Sequence, residues 1–434
     1  MKILFILPYI PYPLDSGGNQ AVFSMIDNLR KSHHISVIFR IYRSSEPFER
    51  LKGLWNDVDF YVFDYDKVSA KKRSLPFDSL KFRLINYFKD SFGRKYDRYL
   101  YRQLRKSPDM TSQLWARLYL GLRDNSLDQD FCRFVSDIVR KQRFDAVQTE
   151  FMDFLGLCYY LPEGVRKIFV HHEISFVKDE NELSLLPAVP DDMKIGYQKK
   201  KDAEISMLKH YDHIITLTDV DRRILSEYIP EEKIYVSPAV IARDRHLEFR
   251  YCSTEFVFLG GAEHFPNMDG VWWLCKEIVP ELHKLLGGFR IYVVGKWDKY
   301  QRKMLGNTDS SIIFTGFIQD LGVFLNGKIS IIPIRIGSGM RMKILDAIMS
   351  GSPLITTAKG KEGIDLDDGK HCCIAETSAE FAEAMTRVSS DRLLQKTLSS
   401  AAVEKIRTEY NADAMLKRRE HFYDLISGSD KLSY

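Results

Sequence analysis

Ile331-Ile332-Pro333-Ile334-Arg335-Ile336-Gly337-Ser338-Gly339-Met340-Arg341-Met342-Lys343-Ile344-Leu345-Asp346-Ala347, followed by Gly351-Ser352-Pro353, is the stretch on which the reading of this chain turns. A short apolar run feeds a Gly-x-Gly turn, and the turn opens a helical pattern with two cations in its first turns. That is a buried strand handing over to a helix, as in a parallel sheet covered by helices. Backbone N–H groups of Gly337, Ser338, Gly339 and Met340, the positive end of the helix, and the side chains of Arg341 and Lys343 together make a receptor for a diphosphate. Asp346 follows Lys343 by three residues and so shares its helical face, where a carboxylate can accept hydrogen bonds from a ribose diol. The alternative is a plain strand-turn-helix with a solvated charged face.

Outward from this block the same alternation fills most of the chain. Strands are predicted at Lys2-Leu7, Ile35-Arg40, Asp59-Phe63, Ala146-Thr149, Lys167-His171, His213-Thr216 and Ile234-Val236, with helices at Gln20-Arg30, Asp130-Lys141 and Lys194-Tyr211. A polar, charged stretch, Arg243-Asp244-Arg245-His246, interrupts the pattern. It restarts with strands at Glu255-Leu259, Arg290-Val294, Ser311-Phe314, Ile329-Pro333 and Pro353-Thr356, and helices near Asp269-Leu286, Met340-Ser350, Ala379-Val388 and Asp391-Glu409. The class is therefore α/β, with two Rossmann-like doubly wound domains over 1–240 and 253–409. Residues 410–434 are expected as a terminal helix packing back on the first domain. Ligands are expected at the carboxyl ends of the strands, facing a central cleft.

Composition sets the outer bounds. The chain has 434 residues, 45% apolar and 28% charged, which suits two folded domains and excludes disorder. With 63 Lys and Arg against 59 Asp and Glu the formal charge is +4, too small for a dedicated nucleic-acid binder. Six cysteines without a CxxC pair or a His-flanked metal spacing fit a reducing compartment and offer no metal site. The apolar run Ile3-Leu7 ends at Pro8, short of the roughly 7–15 residues a secretory signal needs, and reads as a first strand. No run of about 18 apolar residues occurs, so a cytoplasmic location is expected, at most peripheral on the inner face of a membrane.

One segment breaks the alternation. From Lys67 to Lys106 thirteen basic residues stand against three acids, with Phe77, Phe82, Tyr87, Phe88, Phe92, Tyr96, Tyr99 and Tyr101 interleaved. A basic, aromatic insertion over about 66–125 could lie in the headgroups of an anionic membrane, or be a solvated helical excursion whose aromatics pack on their own domain.

Four smaller signals complete the inventory. Asp15-Ser16-Gly17-Gly18-Asn19-Gln20, between the first strand and the first helix, is a candidate anion loop or a tight turn without ligand; it lacks the GxGxxG spacing of nicotinamide binders. Val170-His171-His172-Glu173 ends a predicted strand, where an imidazole could hydrogen-bond a sugar hydroxyl or a leaving group, or simply be satisfied in the core. Gly295-Lys296 and Gly316-Phe317-Ile318 follow second-domain strands, where backbone groups could receive a nucleoside. Asp64-Tyr65-Asp66 has the DxD form of metal-bound nucleotide-sugar sites but precedes the basic insertion rather than a catalytic strand, and is read as a loop.

These residues together resemble the retaining glycosyltransferases of family 4, with the GT-B fold. The most specific elements are Phe258-Leu259-Gly260-Gly261 leading to Pro266-Asn267-Met268-Asp269, the turn Gly316-Phe317-Ile318-Gln319-Asp320, the Pro333–Pro353 block, and Gly360-Lys361-Glu362-Gly363. The resemblance implies that the second domain binds a nucleotide sugar, UDP- or GDP-linked, through Gly260, Asn267, Gly295, Lys296, Gly316, Phe317 and Ile318. It implies Asp346 as ribose ligand, Gly17 and Gly18 beside the diphosphate and acceptor, and His172 with Glu173 near the sugar, His171 being the competitor. It implies transfer with retention and without metal or other cofactor, to a glycan or lipid-linked acceptor in cell-surface polysaccharide or glycoconjugate assembly. Two departures stand out. Ser338 occupies the place of the first Glu of the family's paired-acid motif, and Glu263 and His264 stand where an Arg and a Lys usually grip the diphosphate. Arg341 and Lys343 are the expected substitutes. A nucleotide-sugar 2-epimerase and a catalytically silent nucleotide-sugar-binding or scaffold protein are the rival readings.

Overall fold

The computed structural model describes residues 1–14, 17–41, 46–64, 111, 114, 118, 127–239, 246–252, 254–305 and 309–428. The basic aromatic segment, Asp15, Ser16, Tyr65, Asp66 and the charged stretch Arg243 to Arg245 lie outside them. The first sheet contains β1 (Lys2–Leu7), β2 (His34–Ile41), β3 (Asp59–Asp64), β4 (Ala146–Glu150), β5 (Arg166–His171), β6 (His213–Thr216) and β7 (Ile234–Val236), in the order β3-β2-β1-β4-β5-β6-β7. The pairs from β3 to β6 are parallel. Its helices are α1 (Gly17–Leu29), α2 (Glu46–Leu54), α3 (Gln129–Gln142), α4 (Ser175–Ser184), α5 (Asp191–Leu208) and α6 (Asp219–Ser226).

The second sheet contains β8 (Glu255–Leu259), β9 (Arg290–Val294), β10 (Ile312–Gly316), β11 (Ile329–Ile332), β12 (Leu354–Thr356) and β13 (Cys373–Ile374), ordered β10-β9-β8-β11-β12-β13. Every neighbouring pair is parallel. The associated helices are α7 (Phe265–Trp273), α8 (Val279–Leu285), α9 (Lys299–Met304), α10 (Leu321–Leu325), α11 (Met342–Met349), α12 (Ser378–Ser390), α13 (Arg392–Glu409) and α14 (Ala412–Ser427). Both sheets thus wind outward from their first strand in one direction and then in the other. Each has a switch point, between β1 and β4 and between β8 and β11, where crossovers leave a crevice at the carboxyl edge.

The strands form where the sequence is almost wholly apolar, because both faces are covered: β1 is buried from Ile3 to Leu7, and β11 throughout. In the first sheet Phe63, Phe131 and Phe154 close the core, with Phe131 and Phe154 stacked at 5.0 Å. In the second, buried Gln395 of α13 takes the N–H of Cys252 at 3.2 Å and donates to the carbonyls of Cys252 and Val388, fixing the chain where it enters β8. Five of the six cysteines are buried and none is bridged. Burial pushes Cys132 and Cys158 up to about 11, and Cys275 and Cys372 up to about 12.

The chain divides into two compact units, one of Met1–Thr216 and Ile224–Tyr235, the other of Leu217–Arg223 and Val236–Tyr434. Helix α14 is grouped with the second unit, and its buried Arg419 donates to Ser237 Oγ at 2.8 Å. Among the described residues no helix is long and apolar enough to cross a membrane.

Candidate functional site

At the carboxyl edge of the first sheet the switch point brings the loop after β1, the start of α1, and the ends of β4 and β5 to one place. Asn19 and Gln20 reach back to the carbonyls of Pro13 and Leu14, at 2.7 and 3.1 Å, and so hold the loop against the helix. Gly17 and Gly18 open α1, whose first N–H groups lack intrahelical partners. A Cβ on Gly18 would stand 2.9 Å from the Tyr9 hydroxyl, so a larger residue there would displace the end of the Tyr9 side chain. Burial, and then the nearby Glu150 and Asp153, hold the Tyr9 phenol in its protonated form.

His172 stands just beyond β5, its Nε2 2.6 Å from Oε2 of fully buried Glu150 at the end of β4. Gln148 donates to the other Glu150 oxygen. The His172 ring lies on Phe151, centroids 3.9 Å apart and planes 6° from parallel. Phe151 reaches that position with φ +67°, a conformation a bulky residue adopts only when its surroundings impose it. In the tautomer that donates Nε2–H to Glu150, the ring's lone pair is on Nδ1, as an acceptor for a hydroxyl needs. Glu173, one residue on, has Lys178 Nζ 3.6 Å from Oε2.

His171 is a correction to the sequence reading. It is fully buried, with Nε2 3.0 Å from Oε1 of Glu204 on α5. Glu204 also accepts the N–H groups of Ser175 and Phe176, at 3.1 and 3.2 Å, and so caps α4. The cause is strand geometry: His171 is the last residue of β5 and faces the interior, while the chain turns at His172 and presents the next side chain at the edge.

In the second sheet the turns after β8, β9 and β10 are bonded to one another. Gly260 N–H donates to Val294 O at 2.8 Å, Gly295 N–H to Gly316 O at 2.9 Å, and Ala262 N–H to Lys296 O at 3.1 Å. Gly295 has φ +130°, and a Cβ there would meet the Gly260 carbonyl carbon at 2.8 Å. Beyond these turns Lys296 pairs with Glu263 at 2.9 Å in full solvent, a contact worth about 0–1 kcal/mol. Phe317 is 73% exposed, whereas Ile318 packs on the Val257–Val294–Leu325 cluster.

Asn267, in the first turn of α7, joins both sides of the switch point. Its Nδ2 donates to Gly261 O at 2.8 Å, and its Oδ1 accepts from Lys343 Nζ. The Lys343 ammonium lies 4.6 Å from the Phe258 ring centroid. Enclosure, and then the positive charge of Arg341, lower its pKa from 10.5 to about 7. Arg341 differs from the expectation of a free phosphate ligand. It is 7% exposed and donates to the carbonyls of Ser338, Gly339 and Ile336, so its guanidinium closes the Gly337–Gly339 loop on itself. Ser338 and Met340 are buried with it, and Asp346 is buried one turn into α11.

Sequence reading gave no role to Tyr9, Glu150 and Phe151, or to the pair Arg335–Asp269. Arg335 grips Asp269 bidentately, at 2.6 and 3.1 Å, with its guanidinium 5.0 Å from the Trp273 ring centroid. Pro266-Asn267-Met268-Asp269 and Arg335 both lie in motif segments of the sequence, but nothing in their spacing announces that they meet.

Residues 253–391, which are most of the second unit, match the family model "Glycosyl transferases group 1". No curated protein matches the chain by sequence. Among solved structures it is similar to an S. aureus TarM mutant in complex with Fondaparinux, alpha-GlcNAc-glycerol and UDP, with TM-score 0.65 and 11% identity over 98% of this chain and 99% of that one. It is similar to sucrose-phosphate synthase from Thermosynechococcus elongatus, with TM-score 0.64 and 13% identity over 99% and 100%. It is also similar to Anabaena HepE in complex with UDP and glucose, with TM-score 0.60 and 10% identity over 98% and 99%. The two parallel-sheet α/β domains are those of the GT-B fold.

Proposed function

We propose that this protein is a glycosyltransferase that moves a sugar from a nucleotide-sugar donor to a glycan or lipid-linked acceptor. The observation that carries the reading is the group 1 match over residues 253–391, which contain all the turns gathered at the β8–β11 switch point. Neighbours of the same fold are solved with UDP and sugars, which supports a UDP-linked donor and leaves GDP as its rival. The finer assignments are part of the same proposal: retention of configuration, independence of metal, a cytoplasmic place in cell-surface polysaccharide assembly, and contact of the 67–106 segment with an anionic membrane.

In this reading the nucleoside lies over the turns of Gly260, Gly295 and Gly316, and the diphosphate at the amino end of α11. Lys343 is enclosed there beside Asn267, and an arriving diphosphate favours its charged form, so binding takes up a proton above pH 7. Positive charge held in place before the reaction stabilises the charge that develops on the departing diphosphate. His172, its Nε2 anchored on Glu150, orients a hydroxyl of the sugar or the acceptor through Nδ1. Transfer requires that the donor bound by the second domain reach the acceptor bound by the first.

Thermal shift against uridine, guanosine, adenosine and thymidine diphosphates tests the reading. One of them is expected to raise the apparent stability, by about 2.7 kcal/mol at one hundred times its Kd. No shift with any of the four overturns it. The engagement of Arg341 with its own loop favours one rival, a nucleotide-sugar-binding protein without turnover. Calorimetry that finds donor binding with no release of nucleoside diphosphate across a panel of acceptors would select it, and release without acceptor would select the epimerase.

A further inference from the structure

The second unit carries another cavity, of about 690 Å³, that none of the chemistry above uses. It runs between the extended segment 246–251 and α13. Its position follows from two contacts: Leu247 N–H donates to Met349 O at 2.8 Å, and a Cβ on Gly351 would touch Leu247 O. Met349 is the last residue of α11, whose first turn belongs to the candidate donor site. The cavity is therefore at the amino edge of the second sheet, one helix length from the carboxyl edge where the donor turns gather.

Its wall is a single stripe of α13. Arg392, Lys396, Ser399, Val403 and Arg407 recur at helical spacing and line it together. At about 1.5 Å per residue, Arg392 and Arg407 stand roughly 22 Å apart along the axis. Arg250 faces them from the extended segment. All four cations are exposed, and among the described residues none forms an ion pair. Tyr251 stands in the same wall, 38% exposed, its hydroxyl donating to Ser389 O at 3.2 Å and its ring centroid 5.8 Å from the Arg392 guanidinium. Two carboxylates, Glu248 and Glu404, also line it.

We propose that this groove binds a linear acidic oligosaccharide, one whose carboxylate, sulfate or phosphate groups are spaced along the chain. Cations spread over roughly 22 Å exceed what one phosphate or one nucleotide can engage at once. An aromatic ring among charged groups offers a face for a pyranose, and Glu248 and Glu404 are acceptors for its hydroxyls. An open groove of this size can seat a chain along its length and does not match the plane of a bilayer. The role follows if the transferase reading is right: a groove remote from the donor turns holds an acidic acceptor or product away from its reacting end. The binding claim itself does not need that reading.

The test is titration calorimetry on the full chain with a heparin-derived sulfated hexasaccharide. Arms with inorganic sulfate at equal charge, an oligonucleotide hexamer and vesicles containing phosphatidylglycerol identify the source of any binding. Saturable binding is expected, falling at least tenfold in Arg392→Ala/Arg407→Ala, kept in Lys276→Gln, an exposed cation outside the groove, and weakening as salt rises. Nucleoside diphosphate binding is expected to be unchanged in all variants, so a failed donor experiment leaves this one intact. Equal hexasaccharide affinity in the double variant at unchanged Tm overturns the proposal. So does full competition by inorganic sulfate, or a loss confined to the oligonucleotide or vesicle arm.

Discussion

His171 and His172 adjoin in sequence and differ completely in surroundings. The first is sealed against Glu204, while the second is stacked on Phe151 and tied to Glu150. His172→Gln keeps a donor for Glu150 and removes the imidazole, so kcat is expected to fall at least tenfold with Tm nearly unchanged. His171→Ala strips one of three donors from buried Glu204 and is expected to lower stability by about 1–3 kcal/mol while leaving kcat alone. Steady-state kinetics beside thermal melts would expose the reverse pattern, which would end the assignment. Lys343 makes a prediction with a sign. Between pH 7 and 10.5 the unfolded chain holds a proton that folded Lys343 has released, so stability gains from this group as pH rises, at up to about 1.4 kcal/mol per pH unit. Below pH 7 both states are protonated and the penalty of burying the charge is fully present. Lys343→Met should flatten the pH profile of Tm over that window; a slope identical to the parent protein's would show that the ammonium is not enclosed.

Among elements, strands are the most legible, because a strand covered on both faces must be a short apolar run and little else in the chain looks like one. Helices are less so. The α4 segment Ser175–Ser184 escapes a reading by apolar periodicity because Asp179 and Glu182 are among its buried residues. Helix α11 starts at Met342, two residues later than its pattern suggests, since Arg341 bonds loop carbonyls instead of joining the helix. At the site, the glycine turns and Lys343 can be found from sequence, as their chemistry is local. Glu150, Phe151 and Glu204 cannot, because their roles arise from pairings across 22 and 33 residues or from one backbone angle. The packing of α7 on β11 is similarly hidden: a Cβ on Gly270 would stand 2.7 Å from Pro333 O. Gly270→Val is therefore expected to displace the 334–341 loop and weaken nucleoside diphosphate binding at least tenfold, with stability lower by about 1–3 kcal/mol. Calorimetry that returns parental affinity would show the loop to be independent of this contact.

For the molecule as a whole, charge is unevenly distributed: the total is +4, yet the 67–106 segment alone holds thirteen cations and three acids. If that segment meets a bilayer, each Lys or Arg near an anionic surface contributes about 1 kcal/mol, and Arg94, Lys95, Arg98 and Arg102 form a dense group within it. Changing these four to Gln should cut flotation with phosphatidylglycerol vesicles severalfold and leave neutral vesicles unaffected. Equal flotation would leave the segment without a membrane role. The shielded thiols, finally, have a practical use. Because burial raises the pKa of all six thiols and only Cys275 is partly exposed, a maleimide dye at neutral pH is expected to meet few reactive native sites. A cysteine placed at Phe317 would then be the one bright reporter on the chain, and its fluorescence could follow substrate arrival in real time without first removing any wild-type sulfur.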